Sequence, residues 1–135
     1  MTYALAADAP LRNTGVIKLH SLTDFDGMRA AGRLAAETLD ALLPLVEPGV
    51  TTEAIDDLAH AFIIERHAIP APLNYRGFPK SICTSVNHVV CHGIPGSKTL
   101  QTGDVVNIDV TVIADGWHGD SSRMFHVGDV GVKAR

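Results

Sequence analysis

Two aspartates in the last third of the chain could act on the same ligand. Asp109 lies in an alternating stretch at residues 107–111, and Asp120 follows after the dipeptide Asp115-Gly116. An Asp-Gly pair favours a two-residue hairpin turn, because both positions tolerate a positive φ. Carboxylates that converge on one point are the ligands that hard divalent cations prefer. The pattern therefore predicts a metal site, and a metal-dependent hydrolase is the first hypothesis.

The register of this hairpin decides whether the two carboxylates share a face. With a two-residue loop, Thr111 lies opposite Asp120 and Asp109 lies opposite Ser122. Because side chains alternate along a strand, these four residues point to one side of the sheet. The two aspartates are then diagonal neighbours, about 7–8 Å apart at their bases. A slip of one residue in the register would place the two aspartates on opposite faces. The alternative interpretation is that this polar face is only the solvent-exposed side of the sheet.

Histidines and cysteines provide further candidates. His118 shares the predicted face of Asp120 and is a rival metal ligand. His92 stands where a short extended run meets a Gly/Pro loop, a junction at which active-site residues are common. Cys83 could act as a nucleophile beside a histidine or form a small wall residue. Cys83 and Cys91 are expected to be reduced thiols rather than a disulfide, since the sequence has no secretory features.

Composition and charge restrict the class of partner. The 135 residues allow one domain, with a formal net charge of -4 and a pI near 5.9. Basic residues are scattered singly, which argues against a nucleic-acid groove or an anionic membrane as the main partner. The sequence contains no run of about 18 apolar residues, which a membrane span would need. Residues 1–8 do not resemble a secretory signal. The sequence favours a cytoplasmic location.

The order of elements predicts an α+β fold in which two antiparallel helices pack on an antiparallel sheet. Residues 1–20 lack a period and are predicted to be a tail. Ser21 begins a capping box, and the helix that follows ends before Pro44. A second helix starts at Thr51 or Thr52. The apolar stripes expected to face the core are Met28, Ala31, Leu34, Ala35, Leu39, Leu42 and Leu43, and then Ile55, Leu58, Ala59, Phe62 and Ile63.

The sheet is predicted from four extended runs. Residues 81–84 and 88–92 flank a turn, residues 104–113 form the strongest strand, and residues 117–127 return from the hairpin. Alternation assigns the buried face of the central strand to valine and isoleucine. The residues of that face are Val106, Ile108, Val110 and Val112.

Longer segments of the chain resemble type I methionine aminopeptidase. The likeness is carried by residues 74–87, 89–95, 103–111 and 115–125, and it extends from about residue 17 to the last residue. The resemblance implies a "pita-bread" fold, in which two similar halves of helices and antiparallel strands enclose a dinuclear metal site. Residues 21–135 are expected to be the N-terminal half, with the C-terminal half missing.

The resemblance also implies a metal site. Asp109 would bind a metal ion and Asp120 would bridge two divalent ions, whereas His118 matches no ligand of the family. Such ligands suit Co, Mn, Fe or Zn without choosing among them. The family's other ligands are a His and two Glu farther along the chain, but after Asp120 this sequence has only His126 and no Glu.

The implied substrate is the N-terminal methionine of nascent polypeptides with a small second residue. His92 would hydrogen-bond the substrate and steady the tetrahedral intermediate, and Tyr75, Phe78 and Cys83 would line the methionine pocket. Pro72 stands where some members have a pocket cysteine. The resemblance implies a monomer and allows the ribosome as a further partner.

Three hypotheses about the function stay open. The first hypothesis is a metalloaminopeptidase of which this chain is a truncated and inactive half. The alternative is a catalytically dead pita-bread module that binds peptides or dimerises through an open sheet edge. A proline-specific peptidase of the same fold is the third, although residues 75–81 and 89–95 fit the methionine enzyme better.

Overall fold

The computed structural model describes residues 2–5 and 16–135. Strands β1 (Thr2–Leu5) and β2 (Val16–Leu19) form a parallel pair. The sequence predicted a tail or first loop here and no strands, because four-residue strands are too short to show a period and their pairing is non-local. The rest of the predicted tail lies outside the described residues, and the domain boundary at residue 20 stays a prediction.

Helix α1 (Leu22–Leu42) begins with the predicted capping box. The Ser21 hydroxyl accepts a hydrogen bond from the Asp24 amide at 3.4 Å, and the Asp24 carboxylate accepts one from the Ser21 amide at 2.7 Å. A single 3-10 turn at Leu43–Leu45, which contains Pro44, follows the helix. The predicted start of the helix at Ser21 and its predicted end before Pro44 are therefore both confirmed.

Helix α2 (Thr52–Glu65) starts at Thr51, whose hydroxyl accepts a hydrogen bond from the Ala54 amide at 3.2 Å. Short 3-10 turns occur later at Tyr75–Gly77 and Val132–Ala134. Of the helices in the described ranges, none combines the length and the apolar character needed to cross a membrane.

Removing the cap of α2 gives a direct test of this helix start. Thr51→Ala is expected to lower the free energy of unfolding by about 1 kcal/mol, because the Ala54 amide loses its acceptor. Thr51→Ser, which keeps the hydroxyl, should stay within a few tenths of a kcal/mol of the unsubstituted protein. Urea unfolding monitored by circular dichroism measures both variants. Equal stabilities of the two variants would contradict a capping role.

The larger sheet is centred on β5 (Val105–Ala114). Strand β6 (Trp117–His126) lies along one edge of β5, and β4 (Cys83–Val86) and the two-residue β3 (Ile69–Pro70) lie antiparallel along the other. The predicted strands at 81–84 and 88–92 are wrong in their bounds. Asn87 adopts a φ of 54° that ends β4, and residues 88–92 form no strand. Strand β3 is too short, and too dependent on β5, to be predicted.

The helices cover one face of this sheet. The four β5 residues predicted to be buried, Val106, Ile108, Val110 and Val112, are each 0% exposed. Most of the predicted helix stripe is buried with them, and Thr38 joins it with its hydroxyl donating to the Leu34 carbonyl at 2.8 Å. Met28, Leu43 and Leu58 are exposed instead. A helical period shows which side of a helix is apolar but does not show which residues of that side the rest of the fold covers.

Candidate metal centre and surrounding cavity

The β5–β6 hairpin has the register that the Asp-Gly turn predicts. Ala114 pairs with Trp117, Thr111 with Asp120, and Asp109 with Ser122. Asp115 and Gly116 have φ values of 49° and 80°, which a primed turn requires. Both aspartates therefore lie on the face opposite the core, and the one-residue slip did not occur.

A cavity of roughly 900 Å³ opens on this face of the sheet. Its walls come from the loop after β3, from β4, from the segment after β4 and from the hairpin. His118, which its spacing from Asp120 made a competing candidate for the metal ligand, also lines the cavity. The six residues to which the resemblance assigns a role also contribute to the wall, namely Tyr75, Phe78, Cys83, His92, Asp109 and Asp120.

The two carboxylates interact electrostatically. Burial raises the pKa of Asp109, the nearby Asp120 raises it further, and His92 partly opposes the shift. The Thr111 hydroxyl donates a hydrogen bond to Asp120 Oδ1 at 3.0 Å. The predicted register put Thr111 beside Asp120, but its role in orienting that carboxylate was not foreseen. The pair thus concentrates negative charge at one point of the cavity.

This arrangement fits part of a divalent metal site. Two hard oxygen donors converge, and their mutual repulsion is the kind that a cation relieves. Within residues 2–5 and 16–135, neither carboxylate forms an ion pair with lysine or arginine. Over the same residues, no group of three or more His, Cys, Asp and Glu side chains is placed to hold a metal. Among the described residues, the candidate site thus consists of the two carboxylates of Asp109 and Asp120.

Cys83 lies directly opposite Asp109 in the β4–β5 ladder. Burial, followed by the negative charge of Asp109, raises the pKa of the Cys83 thiol to about 11. The thiol form predominates near neutral pH, so the site does not support Cys83 as a nucleophile. Cys83 is buried and Cys91 is exposed, and both are free thiols.

The two cysteines are expected to differ strongly in reactivity. At pH 7 iodoacetamide should modify Cys91 at least about tenfold faster than Cys83, because alkylation requires an accessible thiolate. Peptide mass spectrometry of the folded protein at timed intervals measures both rates, and the denatured protein is the control in which the rates converge. Faster modification of Cys83 in the folded protein would contradict the buried, protonated thiol.

One part of the cavity wall is a tight loop around Tyr75. The Asn74 amide donates to the Phe78 carbonyl at 2.8 Å, which closes the loop. Asn74 and Arg76 have positive φ values of 66° and 50°. Tyr75 is exposed and Phe78 is half-buried. Arg76 also lines the cavity, and nothing in its sequence position signalled this.

A buried carboxylate on α2 fixes the start of β4. Asp56 Oδ1 accepts hydrogen bonds from the backbone amides of Ser81 at 2.8 Å and Ile82 at 3.0 Å. Lys80 pairs with Glu53 at 2.7 Å just outside. Burial raises the pKa of Asp56, although these amides and Lys80 act in the opposite direction. Sequence reasoning missed Asp56, because an acid near a helix N-terminus has an ordinary explanation in the helix dipole.

Comparison with known proteins decides the family. The model of the family described as "Metallopeptidase family M24" matches residues 26–135. The chain belongs to metallopeptidase family M24. Membership of a metallopeptidase family agrees with the metal site that the two carboxylates of the hairpin indicate.

Relatives that this M24 chain matches at high identity include methionine aminopeptidases. It is 66% identical over 119 residues to "Methionine aminopeptidase" of Rickettsia prowazekii, covering 88% of this chain and 46% of the relative. It is 54% identical over 114 residues to the Escherichia coli K12 enzyme of the same name, covering 83% and 43%. The M24 chain thus spans a little under half the length of these relatives.

A solved structure agrees with the fold. The crystal structure of the Rickettsia prowazekii methionine aminopeptidase superposes with a TM-score of 0.86 at 66% identity, covering 87% of this chain and 48% of the other. The resemblance to type I methionine aminopeptidase and the pita-bread α+β fold are therefore confirmed.

Proposed function

We propose that this M24 chain forms the carboxylate-bearing half of a methionine aminopeptidase, which removes the initiator methionine from nascent polypeptides. The observation that carries the proposal is the convergence of Asp109 and Asp120 on one face of the hairpin, inside a cavity. Because the chain spans under half of its relatives' length, the activity is proposed for the complete gene product.

Asp109 and Asp120 are the proposed metal ligands. Both carboxylates would hold divalent ions, and the Thr111 hydroxyl would keep the Asp120 carboxylate oriented toward them. When bound, such ions act as Lewis acids that lower the pKa of water and polarise a scissile carbonyl. Co, Mn, Fe and Zn all fit oxygen and imidazole ligands. The remaining ligands of the set are proposed to come from outside the described residues.

The rest of the cavity wall is proposed to recognise the substrate. Tyr75 and Phe78 offer aromatic surface to a methionine side chain, whose thioether makes favourable contacts with aromatic rings. Cys83 fills the floor between them and Asp109 as a neutral thiol. His92 hydrogen-bonds the substrate and steadies negative charge that develops on the reacting carbonyl oxygen.

The proposed substrate also defines the setting of the reaction. Nascent polypeptides carry the methionine that is removed, so the proposed activity belongs to the cytoplasm, where these chains emerge. Contact with the ribosome stays a prediction, and so does the monomeric state.

A peptide assay tests the proposal. The complete gene product with added Mn²⁺ should release methionine from Met-Ala-Ser but should not cleave Leu-Ala-Ser or Ala-Pro-Ser, and chelation by EDTA should abolish the release. The alternative, a catalytically dead module, predicts binding of Met-Ala-Ser without release. Cleavage of Ala-Pro-Ser alone would indicate the proline-specific hypothesis. Either of these outcomes would overturn the proposed function.

A further inference from the structure

The backbone of His92 adopts a conformation that its own side chain does not explain. Its φ is 53°, in the left-handed region that residues other than glycine seldom occupy. The side chain is exposed in the cavity, so packing around the imidazole does not hold this conformation. A strained backbone persists only where neighbouring groups over-determine it. The restraint must therefore come from the residues beside His92.

Two hydrogen bonds tie the next residue, Gly93, to β4. The Thr84 amide donates to the Gly93 carbonyl at 2.8 Å, and the Gly93 amide donates to the Ser85 hydroxyl at 3.1 Å. Both backbone polar groups of Gly93, the residue that follows His92, are therefore hydrogen-bonded to β4. One of the two partners is a side chain, and it can be removed by substitution.

The approach of Gly93 to β4 is closer than any other residue type allows. A Cβ at this position would overlap the carbonyl oxygen of Thr84 and would lie 3.0 Å from the Cα of Ser85. The glycine thus brings its amide within reach of the Ser85 hydroxyl. Ser85 is buried and is not part of the cavity wall, so it cannot contact a substrate directly.

We propose that Ser85 is a positioning residue, whose hydroxyl holds Gly93 and thereby fixes the His92 imidazole in the cavity. The inference rests on the proposed function only for the role of His92 in the reaction. Ser85 lies on the same face of β4 as Cys83, but it is buried and its hydroxyl is taken up by the Gly93 amide. Without the hydroxyl, the Gly93 amide has no acceptor on β4, and the backbone of His92 can relax to a negative φ.

Ser81 provides a matched control. It is 2% exposed and Ser85 is 3% exposed. The Ser81 hydroxyl is hydrogen-bonded to His60 Nδ1 at 2.8 Å, on the side of α2 rather than of His92. Ser81→Ala and Ser85→Ala therefore remove the same atom from equally buried sites only four residues apart. A purely structural role of buried serines predicts similar consequences for both variants.

Nuclear magnetic resonance tests the positioning without any activity. In Ser85→Ala, the His92 ring resonances should shift and the Gly93 amide should exchange with solvent at least about tenfold faster, since its hydrogen bond is lost. In Ser81→Ala, both signals should stay as in the unsubstituted protein. Unchanged His92 resonances in folded Ser85→Ala would overturn the proposal. If Ser85→Ala does not fold, Ser85→Cys, which keeps the shape of the side chain with a slightly larger atom and is a weak acceptor, is judged by the same criteria.

A double-mutant cycle in the complete gene product tests the consequence for the reaction. Ser85→Ala should lower kcat for methionine release about 10- to 100-fold, because a misplaced catalytic group costs that much, with KM within about twofold. On the His92→Ala background, Ser85→Ala should cause no further loss, whereas any effect of Ser81→Ala should persist. A full loss from Ser85→Ala in the absence of His92 would overturn the proposal. If the unsubstituted gene product releases no methionine, the proposed function fails, and the resonance data still decide the positioning role.

Discussion

Asp109→Asn is expected to lower the rate of methionine release by the complete gene product at least about 100-fold, since even outer residues that support metal ligands often contribute 10- to 100-fold. The fold should survive. The amide has nearly the same shape as the carboxylate. The substitution also removes the repulsion between Asp109 and Asp120, which contributes to the raised pKa of Asp109. Steady-state assays with Met-Ala-Ser give the rate, and thermal unfolding gives the stability.

Asp115→Asn is the matched control for this prediction. The substitution is chemically identical and lies in the same hairpin, but Asp115 occupies the exposed turn with a φ of 49°. Asparagine tolerates that conformation well, so rate and stability should stay near those of the unsubstituted protein. Retained turnover in Asp109→Asn, or an equal loss in Asp115→Asn, would refute the ligand role of Asp109.

Gly119→Ala should produce the largest loss of stability among single-methyl additions to this sheet. A Cβ at Gly119 would overlap the carbonyl group of Ala31 and the amide nitrogen of Gly32. Helix α1 would have to move away from β6, and overpacking of this kind costs about 1–3 kcal/mol, occasionally more. Because the shift also displaces the hairpin that carries Asp120, metal affinity should fall together with stability. Guanidinium unfolding measures the stability, and the metal titration described below measures the affinity.

Gly32→Ala is the control, and it should act in the opposite direction. Gly32 lies inside α1, and a Cβ there would meet nothing within 4 Å. Alanine in a helix interior is favoured over glycine by about 0.5–1 kcal/mol, so the variant should be more stable than the unsubstituted protein. Unchanged stability in Gly119→Ala would contradict the close packing of α1 on β6.

The features that sequence predicted well are those fixed by a few neighbouring residues. The Asp115-Gly116 turn determined the register of ten residue pairs, and that register put Asp109 and Asp120 on one face. Alternation alone assigned the buried side of β5, and local capping chemistry gave the start of α1 at Ser21. In each case, the deciding interaction joins residues that are close in the chain.

The features that sequence missed depend on contacts between distant residues. The pairing of Cys83 with Asp109 is set by how β4 docks on β5, and the start of β4 is in turn held by Asp56 from α2. The left-handed conformation of His92 depends on Ser85 and on the fit of the chain against β4. No local pattern contains this information, so the candidate residues could be chosen from sequence while the network that positions them could not.

Titration of Mn²⁺ into the complete gene product, followed by isothermal calorimetry, tests most directly whether the two hairpin aspartates hold a shared metal. The unsubstituted protein and Asp115→Asn should bind Mn²⁺ with similar affinity. Asp109→Asn and Asp120→Asn should each bind it at least about 100-fold more weakly, because each variant loses a direct ligand. Equal Mn²⁺ affinity in all four proteins would contradict a metal site shared by the two hairpin aspartates.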